Sequence, residues 1–231
     1  MMVAPCGVFA LLAALVVESP SLDLFRALGM YAFTLLVGLL LMGLFYLLLV
    51  RVFVKFKPKK FIEGIAPAQL LAFSTSSSAA SLPVTMERVE DHLGVDKEVA
   101  SFVLPIGATI NMDGTSLYQA VAAVFIAQAF GMDLSMGTQL GIIMTATLAS
   151  IGAAAVPGAG MVMLVIVLGQ AGIPEAGLAL IFAIDRPLDM CRTVVNITGD
   201  ASVSMMVAKS VGKFNSPPIE KKLDDYNPSN N

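Results

Sequence analysis

Residues 185–200 read DRPLDMCRTVVNITGD, and five polar members recur at spacings of 4, 3, 4 and 4: Asp185, Asp189, Arg192, Asn196 and Asp200. At about 100° per residue of an α-helix, all five fall within an arc of about 80°. The span around them, from about Ala176 to Ala208, is mostly apolar. Ionisable groups inside such a span are costly, and they face either a site or one another. The stripe carries three carboxylates against one guanidinium, so an internal ion-pair network alone leaves anions unneutralised. The stretch is read as a membrane helix with one polar face.

The composition agrees. Of the 231 residues, 57% are hydrophobic and 13% charged, with a mean hydropathy of +0.82. Soluble domains carry about a quarter charged residues, so an integral membrane protein is expected. The net charge of −3 excludes nucleic-acid binding by electrostatics. Cys6 and Cys191 sit in apolar stretches and fit neither a disulfide framework nor a metal spacing. His92 is the single histidine, which excludes any site that needs two.

Upstream of the stripe, Leu134 to Pro174 is 41 residues without a charge. Glycine and proline punctuate its middle, Ser150 to Gly160, and leave arms of about 15 residues, or about 23 Å of helix. Each is short of a crossing, so a re-entrant hairpin is expected. Val99 to Met132 is apolar except for Asp113, with Asn111-Met112-Asp113-Gly114-Thr115 at its middle. Those poor helix formers predict an unwound turn with free carbonyls. Gly64 to Met86 is uncharged but holds Ser74-Thr75-Ser76-Ser77-Ser78 and Pro83. Irregular backbone at membrane depth is tolerated only in protein or against a wet cavity, which predicts a second hairpin with a polar tip. The order is hairpin, broken helix, hairpin, polar helix. Paired interruptions of this kind mark transporter binding sites.

The remaining segments frame that unit. Glu87 to Glu98, with His92, reads as a solvated charged loop. Ala27 to Val50 is an uncharged run of 24 residues, long enough to span. Arg51, Lys55, Lys57, Lys59 and Lys60 follow it, which places that loop in the cytoplasm. The chain is uncharged through Val17 and lacks the basic start of a signal peptide, so it is read as a membrane helix whose preceding chain is missing. From Lys209 the charged, proline-bearing tail is expected to be solvated and partly disordered.

Roles follow from chemistry. Arg192 offers a planar fork for a carboxylate, and Asp189, three residues earlier, suits an ammonium. Ser77, Ser78 and Thr115 supply donors for a second carboxylate, helped by helix-end N–H groups at the hairpin tips. Asp113 and Asp200, with Asn111 and Asn196, form oxygen-rich sets suited to a hard cation. Sodium is the expected coupling ion, with protons as the competing choice because buried carboxylates take them up. No cofactor is implied.

The chain resembles the dicarboxylate/amino acid:cation symporter family, which includes the glutamate transporters. The resemblance rests on Ser76-Ser77-Ser78 with Leu82-Pro83-Val84-Thr85, on Asn111 to Thr115, on Gly152 to Gly160 and on Asp185 to Asp200. It implies an all-α, multi-pass membrane protein with two re-entrant hairpins and an elevator-like transport domain, here as the C-terminal part of a longer carrier. Implied substrate contacts are Ser77, Ser78, Thr115, Val156, Gly158, Asp189, Arg192 and Asn196. One implied sodium site uses Gly107, Asn111, Asn196 and Asp200. Another uses carbonyls near Thr109, Ser150, Ile151 and Ala153, and Asp113 belongs to a third. Ser76 and Met190 stand where some members carry an additional arginine, and Arg186 lies off the stripe without a role in this reading.

The expected division is 1–61, two membrane helices and a basic loop of a partial scaffold; 62–209, the transport domain; and 210–231, a cytoplasmic tail. The expected activity is sodium-coupled uptake of glutamate or aspartate across the cell membrane, by a homotrimer when full length. A C4-dicarboxylate or neutral amino-acid carrier is the rival within the family. An intramembrane hydrolase is the rival outside it, but His92 is remote and the surroundings of Asp113 and Asp200 do not look like an aspartyl protease. A non-transporting fragment is the remaining alternative.

Overall fold

The computed structural model describes residues 23–215; the expected first helix (1–17) and most of the expected tail (216–231) lie outside the described residues. Helix α1 spans Asp23–Leu49 and runs into a π-helical turn, Val50–Val54. The apolar stretch Phe25–Val54 is 30 residues long, exceeding the 24 expected. At 1.5 Å per residue it reaches about 45 Å, more than the ~30 Å of a hydrocarbon core. It is the one helix among the described residues that is long and apolar enough to cross by those criteria.

Hairpin 1 consists of α2 (Pro58–Thr75) and α3 (Ser78–Asp91). Its arms of 18 and 14 residues measure about 27 and 21 Å, both under a crossing. The serine run makes the break in two steps. Ser76 is left-handed at φ 51° and its N–H closes α2 on the Ala72 carbonyl, 2.8 Å away. Ser77 then caps α3, its hydroxyl accepting from the Ala80 N–H at 3.1 Å. The broken helix is α4 (Lys97–Ile110) and α5 (Asp113–Ala129). Hairpin 2 is α6 (Met136–Ile151) and α7 (Ala159–Ala171), with arms of 16 and 13 residues. A 3₁₀ turn at Glu175–Gly177 leads into α8 (Leu178–Ser210), which is 33 residues long.

Three boundaries differ from expectation. The break between α4 and α5 is only Asn111 and Met112; Asp113, Gly114 and Thr115 form the first turn of α5. The reason is position, because residues that disfavour a helix interior are suited to its start, where free N–H groups favour an acidic side chain. The 87–98 loop is not merely solvated. Helix α3 continues through Asp91, Leu93 and Val95 are buried, and Arg88 Nε donates to the Gly64 carbonyl at 2.7 Å. Residues 211–215 also dock: Asp96 N–H donates to Lys213 O at 3.1 Å and Asn215 N–H to Gly94 O at 2.7 Å.

Two apolar cores result. One joins α1, α5, hairpin 2 and the first half of α8, around Leu35, Tyr118, Leu164 and Ile181. The other joins the π turn, hairpin 1, α4 and the second half of α8, around Phe61, Ile65, Leu104 and Met205. Helix α1 thus shares its core with the elements of residues 62–209. Hairpin 1 packs directly along α8, whereas hairpin 2 packs chiefly on α5. The polar stripe of α8 lies where the two cores meet, so neither apolar core has to bury it alone.

Candidate functional site

Both hairpin tips, the helix break and the middle of α8 enclose a cavity of about 270 Å³, its open mouth included. Ser76 and Ser78 come from hairpin 1, Met112 and Thr115 from the broken helix. Ala154, Ala155, Val156, Ala159 and Gly160 come from hairpin 2, and Asp189, Thr193 and Asn196 from α8. Three helices begin at the cavity wall: α3 at Ser78, α5 at Asp113 and α7 at Ala159. The positive ends of their dipoles favour anionic groups in the cavity, although the N–H groups of Ala79, Ala80, Gly114 and Ala159 already have acceptors.

The tips are latched to their surroundings. Ser77 Oγ donates to the Ala155 carbonyl at 2.7 Å, and Ala79 N–H reaches the same oxygen at 3.4 Å. Gly158, at φ +79°, donates its N–H to Asp189 Oδ2 at 3.0 Å. Gln119 Nε2 donates to the Gly160 carbonyl at 3.1 Å. Asn196 links the other two walls: its Oδ1 accepts from Gly114 N–H at 2.8 Å, and its Nδ2 donates to Thr115 Oγ1 at 3.2 Å.

Behind the cavity lies an ion cluster. Arg192 is fully buried; Nη1 donates to Asp185 Oδ1 at 3.1 Å and Nη2 to Asp189 Oδ1 at 2.7 Å. Its guanidinium stands 3.6 Å from the Tyr118 ring centroid, a cation–π contact. A buried guanidinium held between two carboxylates and an aromatic face is compensated, whereas removing one partner strands the rest.

A second polar cluster occupies the other half of α8. Asn111 Nδ2 donates to Asp200 Oδ1 at 2.9 Å, and the Tyr46 hydroxyl of α1 donates to Asp113 Oδ2. Gly107 lets α4 approach, since a Cβ there stands 2.6 Å from Asp200 Oδ1. Gly199 does the same beside Tyr46 Oη at 2.7 Å and Asn111 Nδ2 at 2.9 Å. Among the described residues no three His, Cys, Asp or Glu side chains gather as a metal site.

The site residues read from sequence are therefore distributed unevenly. Ser78, Thr115, Val156, Asp189 and Asn196 line the cavity. Ser77 does not; its hydroxyl is spent on the α3 cap and on hairpin 2. Gly158 touches Asp189 from beside the wall, and Arg192 sits behind it on Asp185 and Asp189. Gly107, Asn111 and Asp200 come together, but Asn196 turns to α5. Asp113 pairs with Tyr46. The Thr109 hydroxyl is exposed and donates to the Ile106 carbonyl at 3.0 Å, and Ser150 Oγ donates to Thr147 O at 2.8 Å. Ile151 is exposed and Ala153 buried at the start of the hairpin 2 tip.

Sequence reasoning assigned no role to Ser76, Thr193, Tyr118, Tyr46 or Asp185. The buried Ser76 hydroxyl lines the cavity and has no hydrogen-bond partner among the described residues. Thr193 stands one helical turn after Asp189 and Tyr118 one turn after Thr115, so the 3.6 period held a signal for both. Tyr46 gave none, being 67 residues from its partner.

Apolar helices around a buried acidic and basic stripe, with two hairpins meeting at their tips beside a broken helix, define a multi-pass helical membrane protein with interrupted helices. Comparison with known proteins gives the lineage. The chain matches the sodium:dicarboxylate symporter family over residues 1–210 and belongs to it. It is 46% identical to excitatory amino acid transporter 3 of Mus musculus over 226 residues, covering 97% of this chain and 43% of that protein. It is 45% identical to its counterpart in Homo sapiens over the same coverage. An excitatory amino acid transporter of Caenorhabditis elegans is 48% identical over 199 residues, 85% of this chain and 40% of that protein. The chain spans less than half the length of these relatives.

Proposed function

We propose that this chain forms the substrate-binding part of a symporter that takes up acidic amino acids, glutamate or aspartate, with sodium. The observation that carries the reading is the convergence of three helix N-termini on one small cavity whose wall includes Asp189, with Arg192 paired to Asp189 behind it. The helix ends attract carboxylates, and Asp189 offers the counter-charge for an ammonium. Ser78, Thr115, Val156 and Asn196 shape the wall; Ser77 and Gly158 hold the tips closed over it. Arg192 reaches a substrate carboxylate by leaving Asp185 while it keeps Asp189, so substrate entry rearranges the ion cluster. The names of the relatives, all excitatory amino acid transporters, support an acidic amino acid over a plain dicarboxylate.

Sodium is carried as co-substrate at Asp200 with Asn111 and the Gly107 region, at Asp113, and at backbone carbonyls near Thr109, Ser150, Ile151 and Ala153. A hard cation takes oxygen ligands of this kind. Both hairpins are re-entrant, the C-terminus is cytoplasmic, and the complete protein is a homotrimer of the cell membrane with an elevator-like transport domain. Hairpin 2, resting chiefly on α5 and tied to α8 at Asp189, is the gate.

Titration calorimetry with L-aspartate, with and without sodium, tests the reading. Binding that requires sodium supports it. Binding indifferent to sodium overturns the cation assignments, and no binding in either condition overturns the substrate assignment for this chain.

A further inference from the structure

Asp189 serves three groups at once. Its Oδ1 accepts from Arg192 Nη2 at 2.7 Å. Its Oδ2 accepts from the Gly158 N–H at 3.0 Å and lies 3.9 Å from Arg186 Nη1. The two guanidinium groups are held very differently. The Arg192 side chain is 1% exposed, shared with Asp185 and stacked on Tyr118. The Arg186 side chain is 53% exposed and meets Asp189 at ion-pair distance without a hydrogen bond.

We propose that Arg186, which stands beside the cavity rather than in its wall, is a specificity-determining residue: it is the exchangeable counter-ion of Asp189, displaced by a substrate ammonium and then free to pair with a side-chain carboxylate of the same substrate. The proposal rests on the reading of the cavity as an amino-acid site.

An ammonium that pairs with Asp189 has to replace a cation already there. Displacing Arg192 breaks hydrogen bonds to two buried carboxylates and uncovers a buried charge. Displacing Arg186 breaks one ion-pair contact of 3.9 Å that carries no hydrogen bond, which is the weaker obstacle. The charge count then sets the preference. Asp185, Asp189, Arg186 and Arg192 together are neutral. A neutral zwitterion brings a single carboxylate, which the helix ends take, so the released guanidinium gains no new partner. An acidic amino acid brings a second carboxylate, and that group finds the released guanidinium beside Asp189. Arg186 thereby opposes neutral substrates through competition for Asp189 and favours acidic ones by pairing with them. Discrimination comes from a repulsive and an attractive element together.

The test is calorimetric titration of L-aspartate and of its neutral isostere L-asparagine into the purified full chain in sodium, comparing wild type with Arg186→Ala, Arg186→Gln and Arg186→Lys. Ala and Gln are expected to weaken aspartate binding at least ten-fold while asparagine binding holds or tightens, and Lys to retain the aspartate preference. Equal shifts for both ligands, or none for either, overturn the proposal, because a merely structural Arg186 moves both together. Thermal melting of each variant separates misfolding from altered selectivity. Wild type that binds neither ligand overturns the amino-acid-site reading itself, a result distinct from wild type that binds both without an Arg186 effect.

Discussion

Replacing Ser77 with alanine is expected to weaken L-aspartate binding about five-fold and to lower stability by about 1 kcal/mol, by two separate routes. The hydroxyl caps α3 by accepting from Ala80 N–H, and loss of a serine cap costs ~1 kcal/mol. The same hydroxyl donates to Ala155 O at 2.7 Å, tying the two tips together. A neutral hydrogen bond contributes ~0.5–1.5 kcal/mol net. Ala155 O retains its longer 3.4 Å bond from Ala79 N–H, so it is not left bare, and the middle of that range applies. About 1 kcal/mol is about a five-fold change in an equilibrium constant. If the closed tips are the binding-competent state, their lost population appears directly as lost affinity. Calorimetric titration reports the affinity and thermal melting the cap. Ser81→Ala is the control, since its hydroxyl bonds only Ser77 O and Ser78 O within hairpin 1. A lower melting temperature with unchanged aspartate affinity in Ser77→Ala refutes the role of the tip-to-tip bond in closure.

Three further outcomes are expected. Arg192→Cys strands Asp185 and Asp189 as facing buried carboxylates, costing ~3–5 kcal/mol of stability. It also abolishes aspartate binding by calorimetry; retained affinity refutes the substrate role of Arg192. Gly107→Ala places a Cβ 2.6 Å from Asp200 Oδ1, so the sodium concentration giving half-maximal aspartate binding should rise at least ten-fold, and an unchanged sodium curve removes Asp200 from the cation assignment. Gly199→Ala sets a Cβ 2.7 Å from Tyr46 Oη and 2.9 Å from Asn111 Nδ2, an overpacking that costs ~1–3 kcal/mol in chemical denaturation.

Periodicity carried much of what the sequence disclosed. The stripe from Asp185 to Asp200 is buried on one long helix as its spacing required, and glycine, proline and serine runs marked both hairpin breaks. What spacing cannot carry is the partner across space. It put Arg192 on a polar face but did not reveal that Asp185 and Asp189 already occupy both of its ends. A run of equivalent serines does not disclose that Ser76 faces the cavity while Ser77 backs onto hairpin 2. Asp113, Gly114 and Thr115 read as helix breakers because composition does not distinguish a helix start from an unwound turn. Tyr46 and Tyr118 were hidden for a different reason: an aromatic on an apolar helix carries no local sign that a carboxylate or guanidinium lies against it.

The docking of residues 213–215 has a mechanical consequence. Two backbone hydrogen bonds join this strip to residues 94–96, Phe214 stands edge-on to Phe56 with ring centroids 6.2 Å apart, and Lys213 pairs with Glu98. The far end of α8 is therefore stitched to the connection between hairpin 1 and α4, and any sliding of α8 past hairpin 1 has to tear main-chain bonds. The tip of hairpin 2 has no such seam; besides the long Ala79 N–H bond to Ala155 O, its ties to hairpin 1, α5 and α8 are single contacts with the side chains of Ser77, Gln119 and Asp189. Stiffness is thus distributed unequally between two halves of similar shape: one is a braced frame, the other a flap whose hold can be released one bond at a time.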